Sequence, residues 1–154
     1  MARQPRPYTK TEVAIANPLI KVMSALNTWV YRATGGRIGG RFLRGAPVML
    51  LTTVGRKSGR RLTVPLLYLR DDERVLCVAS KGGMDQHPLW YHNLVANPEV
   101  EIQIGSDVQP MRAHTAAEAE RAAYWPRLVE MYPDYADYQA RTERIIPVIV
   151  LTPR

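Results

Sequence analysis

The sequence predicts an α+β domain, an antiparallel sheet or small barrel with helices packed outside. Three observations lead there. The strand-like apolar runs are short and joined by turn residues, so they form hairpins rather than regular βαβ units. The helical runs are few and separate these hairpins instead of alternating with single strands. The length, 154 residues, suits one domain. With 46% hydrophobic and 23% charged residues, the composition is globular and excludes disorder throughout.

Each element has its own local warrant. Residues 1–16 are polar and basic without a sustained period and are expected to form a flexible basic arm. Asn17-Pro18 suits an N-cap followed by proline at the first helical position. Leu19, Val22, Met23, Leu26, Trp29 and Val30 then recur at helical spacing until Gly35-Gly36, predicting an amphipathic helix over 18–33. The remainder, 17–154, is expected to be a single domain that includes this helix. Val48–Val54, Leu62–Leu69 and Arg74–Ser80 are expected strands, turning at GRKSGR and at Asp71-Asp72. Pro88 opens a short helix that ends near Asn97-Pro98. Val100–Ile104 and Val108–His114 pair across Gly105-Ser106. Thr115 with Glu118 resembles a capping box, predicting a helix over 116–131 that Pro126 disturbs. A further helix over 134–144 and a last strand, Ile146–Leu151, complete the chain.

Several function classes fall away. One cysteine permits neither an internal disulfide nor a cysteine-based metal site. Cys77, mid-strand among Val75, Leu76 and Val78, is expected to be a buried inert thiol. His87 and His92 are five apart and so do not share a helical face as metal ligands; no metal is expected. Lys57-Ser58 lacks the preceding glycine of a nucleotide-binding P-loop. No paired-carboxylate or Ser-His-Asp arrangement stands out. No apolar run approaches 18 residues and the N-terminus has no apolar signal core, so a cytoplasmic protein is expected.

Charge is distributed unevenly around the net +7. Residues 1–45 hold eight Lys/Arg against one acid, residues 46–70 five against none, and residues 71–154 eight against thirteen. The basic half suits an anionic membrane, a nucleic acid or an anionic small molecule. Three local signals narrow this. In GRKSGRR, the cations Arg56, Lys57, Arg60 and Arg61 crowd a glycine-punctuated turn with Ser58, suiting phosphate or carboxylate. In ASKGG, a strand ends in Ala79, Ser80, Lys81 and two glycines, which lets a flat ligand approach the backbone. The aromatic set Trp90, Tyr91, Tyr124, Trp125, Tyr132, Tyr135 and Tyr138 suits either core edges or a pocket for a planar, partly polar molecule.

The stretches TTVGRKSGR, PLLYLRDDERVLCVASKGG, HPLWYHNLVANPEVEIQI and YWPRLVEMYPDYADYQARTERIIPVIVL occur in register. Together with NTWVYR they resemble the deazaflavin-dependent nitroreductase and quinone reductase family of actinobacteria, over residues 18 to 153. The resemblance implies a split β-barrel, binding of coenzyme F420, and hydride transfer from its reduced form to a menaquinone-like quinone or a nitroaromatic acceptor. It implies that Arg56, Lys57 and Ser58, with Arg60 and Arg61 beside them, hold the coenzyme's phosphate and anionic tail. It further implies that Thr63, Val64, Pro65, Leu66 and Leu67 line the cofactor. Val78, Ala79, Ser80 and Lys81 would lie under its ring, and Leu89, Trp90, Tyr91, His92 and Asn93 would form the next cofactor-facing helix. Tyr132, Tyr135 and Tyr138, with Trp90, would bound the substrate, with Tyr135 and Ser80 serving catalysis. Leu62 stands where the prodrug-activating member has a basic residue, which leaves open which arginine of the turn grips the tail. That member's tyrosine is displaced by one position to Tyr68, which counts against nitroimidazole activity more than against quinone reduction. A flavin mononucleotide-binding split barrel and a basic nucleic-acid module remain as alternatives. The second is disfavoured because the aromatics lie mostly in the acidic half, so no nucleic acid is expected. The basic N-terminal helix with its tryptophan suits peripheral attachment to an anionic membrane.

Overall fold

The computed structural model describes residues 5–42 and 45–154. Arg3, part of the expected arm, lies outside them. The chain forms α1 (Lys10–Thr34), β1 (Val48–Val54), β2 (Arg61–Leu67), β3 (Leu69–Asp71) and β4 (Arg74–Val78). A short 3₁₀ turn, Lys81–Gly83, leads to α2 (Leu89–Ala96), β5 (Glu99–Ile104) and β6 (Asp107–Thr115). Then come α3 (Glu118–Met131), α4 (Asp134–Ala140) and β7 (Val148–Pro153).

All seven strands belong to one antiparallel sheet in the order β2-β1-β5-β6-β7-β4-β3. The two edge strands, β2 and β3, are consecutive in the chain with only Tyr68 between them. The sheet must therefore curl until its edges meet. β3 pairs with β4 only as far as Leu76, so Cys77 and Val78 run on beyond it. There β2 and the end of β4 part, and the barrel is split.

Both faces of the sheet are covered where it curls. Met49, Leu51, Val75, Cys77, Ile102 and Leu151 fill the interior with Trp90 and Leu94 of α2 closing one end. Leu76, Val78, Val148 and Val150 point outward under Tyr124 and Leu128 of α3 and Tyr135 of α4. Two-sided burial explains why β1, β4 and β7 are unbroken apolar runs rather than alternating ones. Pro65 sits in β2, an edge strand, where its missing N–H costs no ladder bond. Cys77 is sealed in this core and burial pushes its thiol up to about 12, the inert state expected.

Three helix boundaries differ from the sequence expectation, and the expected strand Leu62–Leu69 divides at Tyr68 into β2 and β3. α1 starts at Lys10, not Pro18, so residues 10–16 are helical rather than part of an arm. The cap is Thr9, whose hydroxyl accepts from the Glu12 N–H while the Glu12 carboxylate accepts from the Thr9 N–H. Arg6 adds a bidentate pair to Glu12 and holds its carboxyl down to about 2. Pro18 is then inside the helix. The Thr115 capping box does not form, because Thr115 remains in β6 opposite Ile149 and its hydroxyl bonds Tyr91 Oη at 3.2 Å. Pro126 lies within α3 without ending it. α4 stops at Ala140, and residues 141–147 form a loop instead of helix.

α1 packs on the barrel through an unusual face. Thr28 and Tyr31 are buried, and Ser24 is partly so. Ile15, Leu19, Val22, Leu26 and Trp29 lie on the opposite stripe at i, i+4, i+7, i+11 and i+14, and all are exposed. By length and composition α1 is long and apolar enough to cross a membrane, although Asn17, Pro18 and Lys21 interrupt its apolar run. The Tyr31 hydroxyl accepts from the Gly105 N–H at 2.8 Å and reaches the Gln103 carbonyl at 3.3 Å, fastening the helix end to the β5–β6 turn. Tyr31→Phe should therefore lower stability by about 1–2 kcal/mol. The denaturant midpoint should fall with an unchanged slope; an unchanged midpoint would show that the hydroxyl contributes nothing.

Candidate active site at the split of the barrel

The GRKSGR turn joins β1 to β2 and is closed by its own backbone. Gly55 N–H donates to the Arg60 carbonyl at 2.8 Å, and Gly59 N–H to the Gly55 carbonyl at 2.8 Å. Gly59 takes φ +68°, and a side chain on Gly55 would collide with Ser58 Oγ. Asn93 is buried and anchors the turn to α2: its Oδ1 accepts from the Arg56 N–H at 3.1 Å, and its Nδ2 donates to Thr53 Oγ1 at 3.4 Å. Asn93 is thus a brace for the turn, a role its sequence position did not reveal. Arg61 pairs with Glu101 at 3.0 Å. Arg56, Lys57 and Arg60 are exposed and have no ion pair among the described residues.

The two lips of the split are the segments singled out by sequence. On one side runs β2. Its Val64 and Leu66 turn into the barrel core, whereas Thr63 Oγ1 meets Thr52 Oγ1 at 2.8 Å and Arg32 Nη2 at 2.9 Å. Pro65 and Leu67 are half-buried on the same strand. On the other side β4 ends in buried Val78 and Ala79 and then Ser80, half-buried and without a side-chain capping bond. Lys81 follows with φ 46°, then Gly82 and Gly83 at φ 63° and 84°. Burial, then the charges of Arg144 and Lys21, holds the Lys81 ammonium below its ordinary value. Lys21 belongs to α1, whose Arg32 meets Thr63 of β2. Tyr8, just before α1, lies at Gly82 and under the Arg141 guanidinium, 5.1 Å from the ring centre.

α4 closes the outer side. A Cβ on Gly83 would come within 2.6 Å of the Tyr138 carbonyl oxygen, so the turn and α4 are in backbone contact. Tyr132, Tyr135 and Tyr138 form one cluster, with centroids 5.1–6.3 Å apart and the Tyr132 and Tyr138 hydroxyls 3.4 Å apart. Burial raises the pKa of Tyr132 and Tyr135 well above the usual phenol value, so both stay protonated at neutral pH. The structure thus brings these tyrosines beside Ser80–Gly83.

The α2 residues divide differently from the expectation of a uniform cofactor-facing helix. Trp90 is buried in the barrel core and Asn93 in the turn brace, while Leu89 is exposed. Tyr91 and His92 are half-buried in an aromatic group with His87, whose ring lies 4.7 Å from Tyr91 and 5.7 Å from His92. Sequence reasoning missed Arg144. Its guanidinium reaches the Met84, Ser80 and Ala79 carbonyls at 2.7, 2.7 and 3.2 Å. An arginine in a run of charges, RTER, carries no signal of such a task. An open cleft of about 490 Å³ also borders the turn, but its Arg61 and Arg154 are paired with Glu101 and Glu99.

Residues 23–153 match the model of the F420H(2)-dependent quinone reductase family. The chain belongs to this family. An F420H(2)-dependent quinone reductase of Mycobacterium tuberculosis is 43% identical over 135 residues, covering 84% of this chain and 89% of that protein. A solved F420-H2 dependent reductase, FDR-A, is 44% identical with TM-score 0.64, covering 68% of this chain and 93% of that one. A second structure, described as a domain-swapped dimer, is 35% identical with TM-score 0.67 over 92% of this chain and 99% of its own. The split β-barrel expected from sequence is the fold observed.

The close approach of the Lys81 turn to α4 gives a direct check. Gly83→Ala must accommodate a side chain at φ 84° against the Tyr138 backbone. It should cost roughly 2–3 kcal/mol of stability, read as a lowered melting temperature. An unshifted melt would mean that the turn and α4 are not in contact.

Proposed function

We propose that this protein transfers a hydride from reduced coenzyme F420 to a quinone, with the cofactor's ring in the split and its anionic tail on the GRKSGR turn. The observation that carries this reading is the turn itself. Three exposed cations, Arg56, Lys57 and Arg60, have no acidic partner among the described residues and stand on a backbone-closed loop at one end of a split whose lips are β2 and Val78–Lys81. Such a loop fits a phosphate or carboxylate. Small residues and positive-φ backbone at Ala79–Gly83 fit close approach of a flat ring. Family membership supports the same cofactor.

When bound, reduced F420 supplies the hydride, a proton with an electron pair. A quinone that accepts it also takes up one proton and leaves as the quinol. The chain's tasks are then to bind, orient and donate hydrogen bonds, which is why no acid–base dyad is needed. Arg56, Lys57 and Ser58, with Arg60, hold the anionic part. The backbone of Thr63–Leu67 and of Val78–Lys81 flanks the ring, with Tyr91 and His92 at its border. Tyr132, Tyr135 and Tyr138 bound the acceptor side. Their protonated hydroxyls and that of Ser80 are suited to donate toward a quinone oxygen, the proton being drawn from solvent.

The quinone class also gives the exposed stripe of α1 a use. Trp29 is 69% and Val22 68% exposed, on a helix whose segment of the chain carries eight cations against one acid. A basic helix with an outward apolar stripe fits the surface of an anionic membrane, where a lipid-soluble quinone resides. The packing of Tyr31 and the Arg32–Thr63 bond tie it to the barrel, which favours lying on the membrane over crossing it. The competing occupant of the stripe is α1 of a second copy, as the domain-swapped relative suggests.

Turnover tests the reading: reduced F420 should be oxidised when a menaquinone analogue is added, and not without it. Arg56→Ala and Lys57→Ala should each weaken cofactor binding by roughly 1.5–3 kcal/mol, less for a cofactor lacking its tail glutamates. Unchanged affinity in the double variant would remove the turn from the site. For the membrane, the full chain should co-sediment with anionic vesicles in low salt. Lys10 should contribute on the order of 1 kcal/mol to that binding, and Arg6 less, because its charge is paired with Glu12. Leu26→Ser with Trp29→Ser should abolish it. Binding indifferent to both changes and to salt would count against attachment, and a dimer that the same variants dissolve would assign the stripe to a second copy.

A further inference from the structure

The Ala79–Gly83 segment adopts a conformation its sequence does not favour, since Lys81, a residue with a side chain, sits at φ 46° ahead of two left-handed glycines. Something outside the segment must hold it. Arg144, from the loop after α4, is placed to do so. Its Nε donates to the Met84 carbonyl at 2.7 Å, Nη2 to Ser80 at 2.7 Å, and Nη1 to Ala79 at 3.2 Å. Nη1 also meets His87 Nδ1 at 3.0 Å. One planar guanidinium thus fixes both ends of the turn and the approach to α2.

Arg144 is itself held in place. Its carbonyl accepts from Gln139 Nε2 at 2.7 Å, and Gln139 Oε1 accepts in turn from Arg121 Nη2 and the Ile146 N–H, both at 2.9 Å. Arg121 reaches the Ile146 carbonyl at 2.9 Å and stacks on Trp125 at 4.3 Å. The chain of contacts runs from α3 through this loop to the lip of the split. A trans peptide carries its carbonyl and the following N–H on opposite sides. By aiming the Ala79 and Ser80 carbonyls at itself, Arg144 therefore turns the Ser80 and Lys81 N–H groups away from itself.

We propose that Arg144 is a positioning residue for hydride transfer, acting through three main-chain carbonyls to set the backbone plane on which the cofactor ring rests. This rests on the functional reading above. Lysine keeps the charge but cannot span three carbonyls with one planar group, so Arg144→Lys separates geometry from charge.

The test uses the full chain with Arg144→Lys and Arg144→Ala, and, as control, Arg127→Lys, which alters the Arg127–Asp71 pair and touches no hydrogen bond to residues 79–87. In cofactor-free protein, amide exchange over residues 80–87 should quicken in both Arg144 variants and not in the control. Oxidised F420 should bind Arg144→Lys about tenfold or more weakly, the worth of one charged hydrogen bond. Added guanidinium ion should restore binding to Arg144→Ala. Wild-type exchange and affinity in Arg144→Lys would overturn the proposal. So would a loss of affinity that follows the melting temperature and is not rescued by guanidinium. If wild-type protein fails to bind F420, the functional reading fails, while the exchange measurement still decides whether Arg144 orders the turn.

Discussion

Tyr68 is all that separates the two edges of the seven-stranded sheet, and most of the structure follows from that. A sheet whose first and last strands are consecutive pieces of chain cannot stay open. It curls, and because β3 is only three residues long, it closes along part of its height and leaves a split along the rest. The split sets a free strand edge, β2, opposite the end of β4. It also sets the ASKGG turn against α4, far apart in sequence, while the GRKSGR turn lies at the other end of β2, tied to α2 by Asn93. The interior that supports this is apolar, with Met49, Leu51, Val75 and Leu151 fully buried. The site therefore has a rigid floor and loop-built walls.

Charge follows the same division. Several acids of the second half of the chain are engaged in pairs that tie helices and strands together, among them Asp71 with Arg127 and Tyr124, and Glu120 with His114. Among the described residues, Arg56, Lys57 and Arg60 of the β1–β2 turn have no ion pair. A buried unpaired charge would be costly, but these are exposed, so the turn carries its positive potential at little cost to stability. Cys77 and the paired histidines, by contrast, are absorbed into packing and hydrogen bonding.

Legibility from sequence tracked how local the determining interaction was. The β1–β2 and β5–β6 hairpins were readable because turn residues and apolar runs alternate within ten residues or so. The start of α1 was misplaced because Asn17-Pro18 and Thr9-x-x-Glu12 are both valid N-terminal signals, and the reciprocal bonds of Thr9 and Glu12 with Arg6 decide for the second. The Thr115 box failed because pairing with β7 and the Tyr91 hydroxyl claimed that residue. At the site, the turn cations, the β4 exit and the tyrosine cluster were visible as composition. The roles of Asn93 and Arg144 were not, because each acts on main-chain atoms 37 and 60 to 65 positions away. The outward stripe of α1 was seen as an apolar face, but periodicity does not say which way a face points.

The central claim is that the split and its basic turn select a deazaflavin with an anionic tail. Equilibrium dialysis of the purified chain against F420 and flavin mononucleotide, each alone and in competition, tests it most directly. The account predicts that F420 binds more tightly than flavin mononucleotide and displaces it. Tighter binding of flavin mononucleotide would contradict the account and leave the barrel as a flavin carrier.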